Sequence, residues 1–282
     1  MSSSDPAARE LSSLLAAGGV VALTGAGVST DSGIPDYRDA NGDWKRKKPV
    51  EYRDFIGSET TRRRYWARSL IGWPHLQRAV PNRAHAALNE LERMQLLSLV
   101  ITQNVDGLHQ RAGSFNVLDL HGRLDNVICL ACKSLSSRAA LQTELVRLNP
   151  EFAQRAAHVA PDGDADLEDI EPTRFRLSAC AECGGILKPD VVFFGETVPR
   201  ERVERAYAAL HAARALLVVG SSLMVFSGYR FARAAAKNGI PIAIVNQGKT
   251  RADGEARVKI EGNAGDVINL AVSELRSLAV SA

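Results

Sequence analysis

The chain has 282 residues, of which 45% are hydrophobic and 24% charged, so its composition is that of a globular protein rather than a disordered one. Its 35 basic and 32 acidic residues leave a net charge of +3, which is too small to indicate nucleic-acid binding. No apolar stretch approaches the ~20 residues that a membrane span needs, and the N-terminus lacks the basic region of a leader peptide. We therefore expect a cytoplasmic protein without nucleic-acid or membrane partners, and the abundance of Ala and Arg hints at a bacterial source.

Short apolar runs alternate with amphipathic segments along the chain. The runs cover 19–23, 97–101, 216–219 and 240–245. Helices are predicted over 7–17, 84–94, 201–213, 229–237 and 265–278. Near-continuous apolar strands are typical of a parallel sheet whose two faces are covered by helices. The alternation predicts a doubly wound, Rossmann-like α/β fold, in which ligands bind at the carboxyl ends of the strands.

A glycine-rich turn follows the first predicted strand. Gly25 and Gly27 would let backbone N–H groups approach a pyrophosphate closely. A dinucleotide-dependent dehydrogenase would carry a third glycine where this chain has Thr30, and no acidic ribose partner follows a second strand. The turn therefore favours nucleotide binding over hydride transfer. The alternative interpretation is a strand-to-helix turn with no ligand. In the next loop, Asp36 and Arg38 offer an acceptor and a bidentate cation, unless they form only a local ion pair.

All four cysteines lie in two pairs, each with two residues between its members. The pairs are Cys129 with Cys132 and Cys180 with Cys183. Four thiolates complete the closed tetrahedral site of a structural Zn²⁺ ion. The interval from 133 to 179 is longer than in compact zinc ribbons, so the spacing alone leaves redox or plain buried thiols open. The absence of any other cysteine from the sequence makes both alternatives poor.

His121 ends an apolar run and precedes Gly122. A histidine at a strand end can reach into a cleft, and its ordinary pKa of ~6.5 suits a general base near neutral pH. A lone histidine is more often a packed or surface residue. Asn104 and Asp106, which follow a neighbouring strand, favour the catalytic interpretation for all three residues.

Five motifs in order resemble the signature of the sirtuin family. They are 25–29 with 32–38, 102–109, 121–122, the paired cysteines, and 220–223 with 245–246. The resemblance covers about residues 10–272. Segments 64–68, 160–164, 188–196 and 227–231 are most similar to the class II, sirtuin-4-like branch.

The resemblance implies an NAD-dependent protein-lysine deacylase that uses NAD as co-substrate and carries one structural Zn²⁺ ion. It implies that the acyl oxygen of a modified lysine attacks the ribose carbon as nicotinamide leaves. His121 would take a proton from a ribose hydroxyl, water near Asn104 would complete the reaction, and Asp106 with the Ile34 backbone would meet the carboxamide. The products would be free lysine, nicotinamide and O-acyl-ADP-ribose.

The remaining site residues also follow from the resemblance. The expected cofactor-binding residues are Gly25, Ala26, Gly27, Ser29, Ile34, Pro35, Asp36, Tyr37, Arg38, Gln103, Asn104, Val105, Asp106, Gly220, Ser221, Ser222, Asn246, Gln247, Gly248 and Ala264. The acylated peptide is expected to add as a strand between 192–196 and 224–227, which also fit plain apolar core. The expected substrate residues are Val192, Phe193, Phe194, Gly195, Glu196, Phe226, Tyr65 and Arg68.

Tyr65 and Arg68 share one face of a predicted helix and resemble the pair with which desuccinylating sirtuins read an acidic acyl group. We therefore hypothesise acyl chains beyond acetyl, against the equal alternative of a packed tyrosine and a solvated arginine. The acidic segment 157–173 is predicted to be a long loop that lines or covers the same channel.

We expect two domains. The NAD-binding domain would comprise 1–50, 77–127 and 186–282, and the small domain would comprise 51–76 and 128–185, with a helical and a zinc module.

Three alternative functions are compatible with the same sequence features. They are a protein ADP-ribosyltransferase with the same NAD pocket, a non-catalytic NAD-sensing module and, least favoured, a dehydrogenase.

Overall fold

The computed structural model describes residues 6–45, 49–154, 158–159, 165–166 and 171–280. Its helices are α1 Pro6–Ala16, α2 Tyr52–Gly57, α3 Glu59–Arg78, α4 Arg83–Arg93, α5 Leu108–Arg111, α6 Arg138–Leu148, α7 Pro150–Ala153, α8 Arg200–Ala212, α9 Phe226–Lys237 and α10 Ala264–Val280. Its strands are β1 Val20–Thr24, β2 Leu97–Thr102, β3 Val117–Asp119, β4 Gly122–Cys129, β5 Leu135–Ser137, β6 His158–Val159, β7 Ala165–Asp166, β8 Leu187–Val191, β9 Ala215–Val219, β10 Ile242–Val245 and β11 Val258–Ile260.

Six strands form a parallel sheet in the order β11-β10-β9-β1-β2-β3. Every residue of β1 is buried, because helices cover both faces of the sheet. Val20 and Ala22 belong to the core beneath α1, α4 and α10, whereas Val21 and Leu23 belong to the core beneath α8 and α9. This alternation confirms the predicted doubly wound, Rossmann-like fold.

The strand order reverses between β1 and β9. From β1 the chain builds outward through β2 and β3, and it later returns to the other side of β1 with β9. The loops that leave β1 and β9 therefore diverge above the sheet and open a crevice at the carboxyl ends of the strands. Gly25 and Gly220, the first residues after these strands, lie at that point.

A second core lies beside the parallel sheet. It is built on α3 and on a three-stranded antiparallel sheet in the order β5-β4-β8. Arg138 of α6 is fully buried there, with its guanidinium over the rings of Trp66 and Trp73 and its Nη2 donating to Ser69 O and Oγ. The zinc and helical modules predicted from sequence thus share one core. The domain boundaries themselves stay a prediction.

Two local predictions need correction. The segment 224–227 was expected to be an extended edge, but α9 begins within it at Phe226, where Val225 O accepts from the N–H groups of Gly228 and Tyr229. Within the predicted loop 157–173, β6 and β7 form a short antiparallel pair beside α3. The rest of that segment up to residue 170 lies outside the described residues.

In the described part of the chain, no helix combines the length and apolarity that a bilayer crossing requires.

Candidate active site

A cavity of about 510 Å³ opens at the carboxyl ends of β1, β2 and β9. The predicted catalytic residues His121, Asn104 and Asp106 all line it. The predicted cofactor-binding residues that line it are Gly25, Ala26, Gly27, Ser29, Ile34, Asp36, Tyr37, Arg38, Gln103, Asn104, Val105, Asp106, Gly220, Ser221, Ser222, Asn246 and Gln247. The predicted substrate residues that line it are Tyr65, Val192, Phe193, Phe194, Gly195, Glu196 and Phe226. The structure therefore gathers most of the predicted site around one space.

The structure does not place Pro35, Gly248, Ala264 or Arg68 among the lining residues. Ala264 begins α10 and packs into the core below the sheet, so its side chain serves the fold. Gly248 lies against the backbone of the loop around Ala40, whose oxygen accepts from Lys249 N at 2.9 Å. Arg68 is half-buried on α3, one helical turn after Tyr65.

The turns after β1 and β9 touch each other, and glycine makes the contact possible. Gly27 N donates to Gly220 O at 2.9 Å, and a Cβ on Gly27 would lie equally close to that oxygen. A Cβ on Gly25 would lie 2.7 Å from Ser221 Oγ. Among the described residues, no acceptor takes the cavity-lining N–H groups of Ala26, Ser221 and Ser222. Free N–H groups on glycine turns at this edge fit the pyrophosphate of NAD.

Gln103 connects these turns to the next strand. Its Nε2 donates to Thr24 O at 3.1 Å and to Ser221 Oγ at 2.9 Å. Gly228 of α9 lies directly behind this side chain, since a Cβ there would lie 2.6 Å from Gln103 Cδ and closer still to Oε1. The amide is therefore held in the cavity wall from three directions.

Asp106 lies in a fixed hydrogen-bond network with Ser29 and Asn104. Its Oδ2 accepts from Ser29 Oγ at 2.8 Å and its Oδ1 accepts from Leu108 N at 2.9 Å. Asn104 Nδ2 donates to Ser29 Oγ at 3.0 Å. This network leaves the Asn104 oxygen free of any hydrogen bond to the described residues. An amide oxygen in that position can accept from a water or a ribose hydroxyl.

Hydrogen bonds fix the protonation state of His121. Its Nδ1 lies 2.9 Å from Gln103 O, and because a carbonyl oxygen can only accept, Nδ1 carries the proton. Nε2 is then the lone-pair nitrogen, and it accepts from Ser227 Oγ at 2.8 Å. Burial lowers the pKa of His121 to about 4, an effect that outweighs the hydrogen bond to Gln103 O, so the ring is neutral at pH 7.

The loop after β8 forms the opposite wall of the cavity. Glu196 Oε2 accepts from Phe193 N at 2.8 Å and pairs with Lys188 Nζ at 3.2 Å, with Lys188 almost wholly buried. Phe193 packs against Phe55 and Tyr65, so its ring belongs to the second core as well as to the wall. The Lys188–Glu196 pair thus fixes the turn that carries the expected peptide-binding backbone.

The sequence assigned no functional role to Arg230 or Trp44, and it placed Ser227 at the site only as part of the expected peptide-binding segment 224–227. Ser227, Arg230 and Trp44 line the cavity, and Trp44 meets the rings of Tyr37 and Phe194 edge-on. The signal for Ser227 and Arg230 was their spacing of three residues, which places them on one helix face once α9 is known to begin at Phe226.

Two buried histidines lie behind the Asp106 network. His109 Nε2 is 3.0 Å from Thr24 Oγ1, and His85 Nδ1 is 3.0 Å from Asn82 Oδ1. Their ring centroids are 4.8 Å apart. Burial lowers the pKa of His85 to about 4 and that of His109 to about 3, so both are neutral parts of the core.

The four cysteine sulfurs meet at one point between the end of β4 and the turn before β8. All lie within 4.8 Å of one another, with 3.5 Å between the sulfurs of Cys129 and Cys183 and 3.7 Å between those of Cys132 and Cys180. Tetrahedral Zn–S bonds of about 2.3 Å require S···S distances of about 3.8 Å. The cluster therefore fits one Zn²⁺ ion with no ligand position left open for catalysis.

Comparisons with known proteins agree with this geometry. The model of the Sir2 family matches residues 25–227. An NAD-dependent protein deacetylase of Bordetella bronchiseptica is 56% identical over 251 residues, which are 89% of this chain and 92% of the relative. A solved Sir2 homologue–NAD complex is 31% identical with a TM-score of 0.74, covering 96% of this chain and 94% of that one.

A solved complex of Sir2 with a p53 peptide and NAD⁺ has the same TM-score of 0.74 at 28% identity, and covers 96% of this chain and 98% of that one. The matched residues include the glycine turn, the Asn104–Asp106 segment, His121, all four cysteines and the start of α9. The chain therefore belongs to the Sir2 family, the sirtuins.

Proposed function

We propose that His121 is the general base of this sirtuin, which is an NAD-dependent protein-lysine deacylase. The observation that carries the proposal is the tautomer of His121, since Nδ1 donates to Gln103 O and leaves the Nε2 lone pair directed at a hydroxyl. The names of curated relatives at 56% identity support the activity. A neutral imidazole whose unprotonated Nε2 exchanges Ser227 Oγ for a ribose hydroxyl can take the proton of that hydroxyl at pH 7.

The other residues of the cavity bind and orient the substrates. NAD, when bound, supplies the ribose carbon that receives the acyl group and nicotinamide as the leaving group. The free N–H groups of Ala26, Ser221 and Ser222 would bind its phosphates, and Asp106 would accept from the carboxamide. Asn104 would hold a ribose hydroxyl or the final water with its free amide oxygen.

The zinc ion has a structural role in this proposal. Cys129, Cys132, Cys180 and Cys183 would hold it as thiolates, and no fifth donor is needed. Two of these cysteines, Cys129 and Cys180, belong to the second core, so the ion would tie the ends of that core together.

We place the chain in the class II, sirtuin-4-like branch. The support comes from its own segments, above all residues 188–196 and 227–231, which line or adjoin the cavity. The bacterial origin of the relatives supports a bacterial source, and a cytoplasmic location stays a prediction. The division into an NAD-binding and a small domain, with the boundaries given above, belongs to the same proposal.

Of the two residues expected to set the acyl preference, Tyr65 is better supported than Arg68. Tyr65 lines the cavity, which favours a role beside the acyl chain, whereas Arg68 does not. Protein ADP-ribosyltransferase activity remains the second candidate, because the same N–H groups, Asn104 and Asp106 would serve it equally.

A panel of acyl-lysine peptides tests the function. The purified protein is incubated with NAD and each peptide, and nicotinamide release and product masses are measured for wild type and His121→Ala. We expect deacylated peptide and O-acyl-ADP-ribose from wild type, with a loss of about 10²- to 10⁴-fold in the variant. The exposed His75→Ala serves as the control and should match wild type. ADP-ribose bound covalently to protein, without peptide deacylation, would instead identify a transferase.

A further inference from the structure

Arg230 brings an uncompensated positive charge to the cavity. It lies on α9, is half-buried and lines the cavity, with its guanidinium carbon 5.4 Å from the ring centroid of Phe226. Its Nε is buried without a hydrogen-bond partner, and no described residue forms an ion pair with it. A partly buried cation with a buried, unpaired N–H donor is unfavourable, so this arrangement is expected where a ligand completes it.

Among the described residues, no spare carboxylate lines the cavity to neutralise Arg230. Four acidic side chains line the cavity, and each is already engaged. Their donors are Lys45 Nζ for Asp36, the N–H groups of Asn41 and Asp43 for Asp39, Ser29 Oγ for Asp106, and Lys188 Nζ for Glu196. Because the carboxylates among the described lining residues are all engaged, a ligand that enters the cavity is the anion the structure favours for Arg230.

The second arginine in the cavity wall shows the contrast. Arg38 Nη1 donates to Gly42 O at 2.6 Å, and its guanidinium lies 4.2 Å from the ring centroid of Trp44. Arg38 thus holds its own loop in place. Arg230 lies over the ring of Phe226 and has no hydrogen-bond or ion-pair partner among the described residues, so its donors stay available to a ligand.

The position of Arg230 indicates which bound molecule would carry the matching anion. It follows Ser227 by three residues on α9 and is close enough to His121 to contribute to the low pKa of that base. Phe226, beneath the guanidinium, is 49% exposed, so this wall reaches the surface. The phosphates of NAD have donors of their own on the glycine turns. A carboxylate near Arg230 is therefore most simply carried by the acylated substrate, which must also reach His121.

We propose that Arg230 is a carboxylate receptor that makes this deacylase selective for acidic acyl-lysine substrates, an inference that rests on the proposed function. The guanidinium would form charge-assisted hydrogen bonds to the anion and stack on Phe226, as arginine does at carboxylate sites. Two sources supply the same group: the distal carboxylate of a dicarboxylic acyl chain, or an acidic side chain that flanks an acetylated lysine.

The experiment measures kcat/KM for four peptides of one sequence. One carries acetyl-lysine with neutral flanks, one acetyl-lysine beside aspartate, one glutaryl-lysine, and one butyryl-lysine as a neutral chain. The enzymes are wild type, Arg230→Gln, Arg230→Lys and Arg230→Glu, with Arg233→Gln as a matched control because Arg233 is exposed on the same helix. Thermal unfolding of each variant reports whether it folds.

We expect wild type to have a higher kcat/KM for one acidic peptide than for its neutral counterpart. Arg230→Gln should lower this ratio of acidic to neutral kcat/KM by about 10- to 100-fold, the size of one charge-assisted hydrogen bond. Arg230→Lys should keep part of the ratio, Arg230→Glu should invert it, and Arg233→Gln should leave it unchanged. The acidic peptide whose preference is lost in Arg230→Gln, either the one with flanking aspartate or the one with glutaryl-lysine, identifies the source of the carboxylate.

Equal ratios in wild type, Arg230→Gln and Arg230→Glu would overturn the proposal. So would an Arg230→Gln variant in which the KM for NAD rises equally with all four peptides, since Arg230 would then bind a phosphate. Turnover of the acetyl peptide with neutral flanks tests the deacylase function separately from the role of Arg230. If wild type turns over none of the peptides, the proposed function itself fails.

Discussion

Ser227 Oγ lies 2.8 Å from Nε2 of His121, the nitrogen that accepts the substrate proton in the proposed mechanism. With Gln103 O at 2.9 Å from Nδ1, the imidazole is held at both ends. In the proposed mechanism, the serine hydroxyl would give up this position to the ribose hydroxyl when the substrate binds. This contact keeps the ring in one orientation and leaves Nε2 unprotonated, so only an exchange of hydroxyl partners is needed to begin proton transfer.

The low pKa of His121 predicts activity in mildly acidic solution. Burial lowers this pKa to about 4, and the base works only when unprotonated. kcat/KM should therefore fall as the pH decreases through about 4, whereas a histidine of ordinary pKa ~6.5 would already be about 97% protonated at pH 5. Initial rates from pH 5 to 8 check this, with fluorescence confirming that the protein is folded. A midpoint near 6.5 would contradict the burial of the base.

Loss of the Lys188–Glu196 pair should weaken peptide binding more than NAD binding. Lys188→Met keeps the buried stem but leaves Glu196, which holds Phe193 N, without its cation. We expect a loss of about 1–3 kcal/mol in the free energy of unfolding and a larger rise in KM for the peptide than for NAD. Lys237→Met, at the exposed end of α9, is the control. An equal rise in both KM values would show that the pair does not act through the peptide wall.

The parallel sheet could be predicted from sequence because its strands are buried on both faces. β1, β9 and β10 are entirely buried and stand out as apolar runs that end in polar clusters. The three-stranded sheet was not predicted. β4 alternates buried and half-buried residues, and its partner β8 follows only after a long insertion, so neither composition nor local spacing indicates the pairing.

The candidate site was predictable where backbone turns define it and less so where helices present side chains. The glycines after β1 and β9 and the Asn104–Asp106 segment follow strand ends, and all line the cavity. Ser227 and Arg230 depend on where α9 begins, which the carbonyl of Val225 decides. The roles of Gly248 and Ala264 depend on which way a loop or helix faces, and a motif does not encode that direction.

Gly228→Ala should impair NAD binding through Gln103. A Cβ at Gly228 would lie 2.6 Å from Gln103 Cδ, so the amide must leave its bonds to Thr24 O and Ser221 Oγ. Loss of such bonds predicts a rise of about 10-fold in KM for NAD. Gly57→Ala, whose added methyl would meet no atom within 4 Å, is the control.

A double variant sharpens this test. If Gly228→Ala acts by displacing Gln103, it should add little to the defect of Gln103→Ala. Additive effects of the two changes would show that the methyl group acts elsewhere on α9.

Removal of zinc should unfold the second core rather than stop a chemical step. The four sulfurs fill the coordination of one ion, and Cys129 and Cys180 lie within that core. We expect one zinc per chain by elemental analysis, and a slow loss of activity on chelation that parallels the loss of secondary structure. Cys180→Ala should be destabilised and zinc-poor. A rapid and fully reversible loss of turnover on chelation would argue for a catalytic metal instead.

The buried pair His85 and His109 predicts acid-sensitive stability. Both pKa values are lowered by burial, to about 4 and about 3, whereas in the unfolded chain they return to ~6.5. Between these values the unfolded state binds more protons, so the free energy of unfolding decreases as the pH falls below ~6.5. Each histidine contributes on the order of 1 kcal/mol per pH unit, until the pH reaches its folded pKa.

Urea titrations between pH 7.5 and 5 measure this slope, and His85→Gln should reduce it by the share of one histidine. His75→Gln changes an exposed ring and should leave the slope unchanged. Imidazole C2–H resonances of wild type provide a second measurement that does not depend on how well the variant folds. Two rings that titrate near 6.5 in the folded protein, or a stability that stays constant down to pH 5, would contradict the neutral, buried pair. A reduced slope in His85→Gln with unchanged kcat at pH 7.5 would show that the pair affects stability and not the proton transfer at His121.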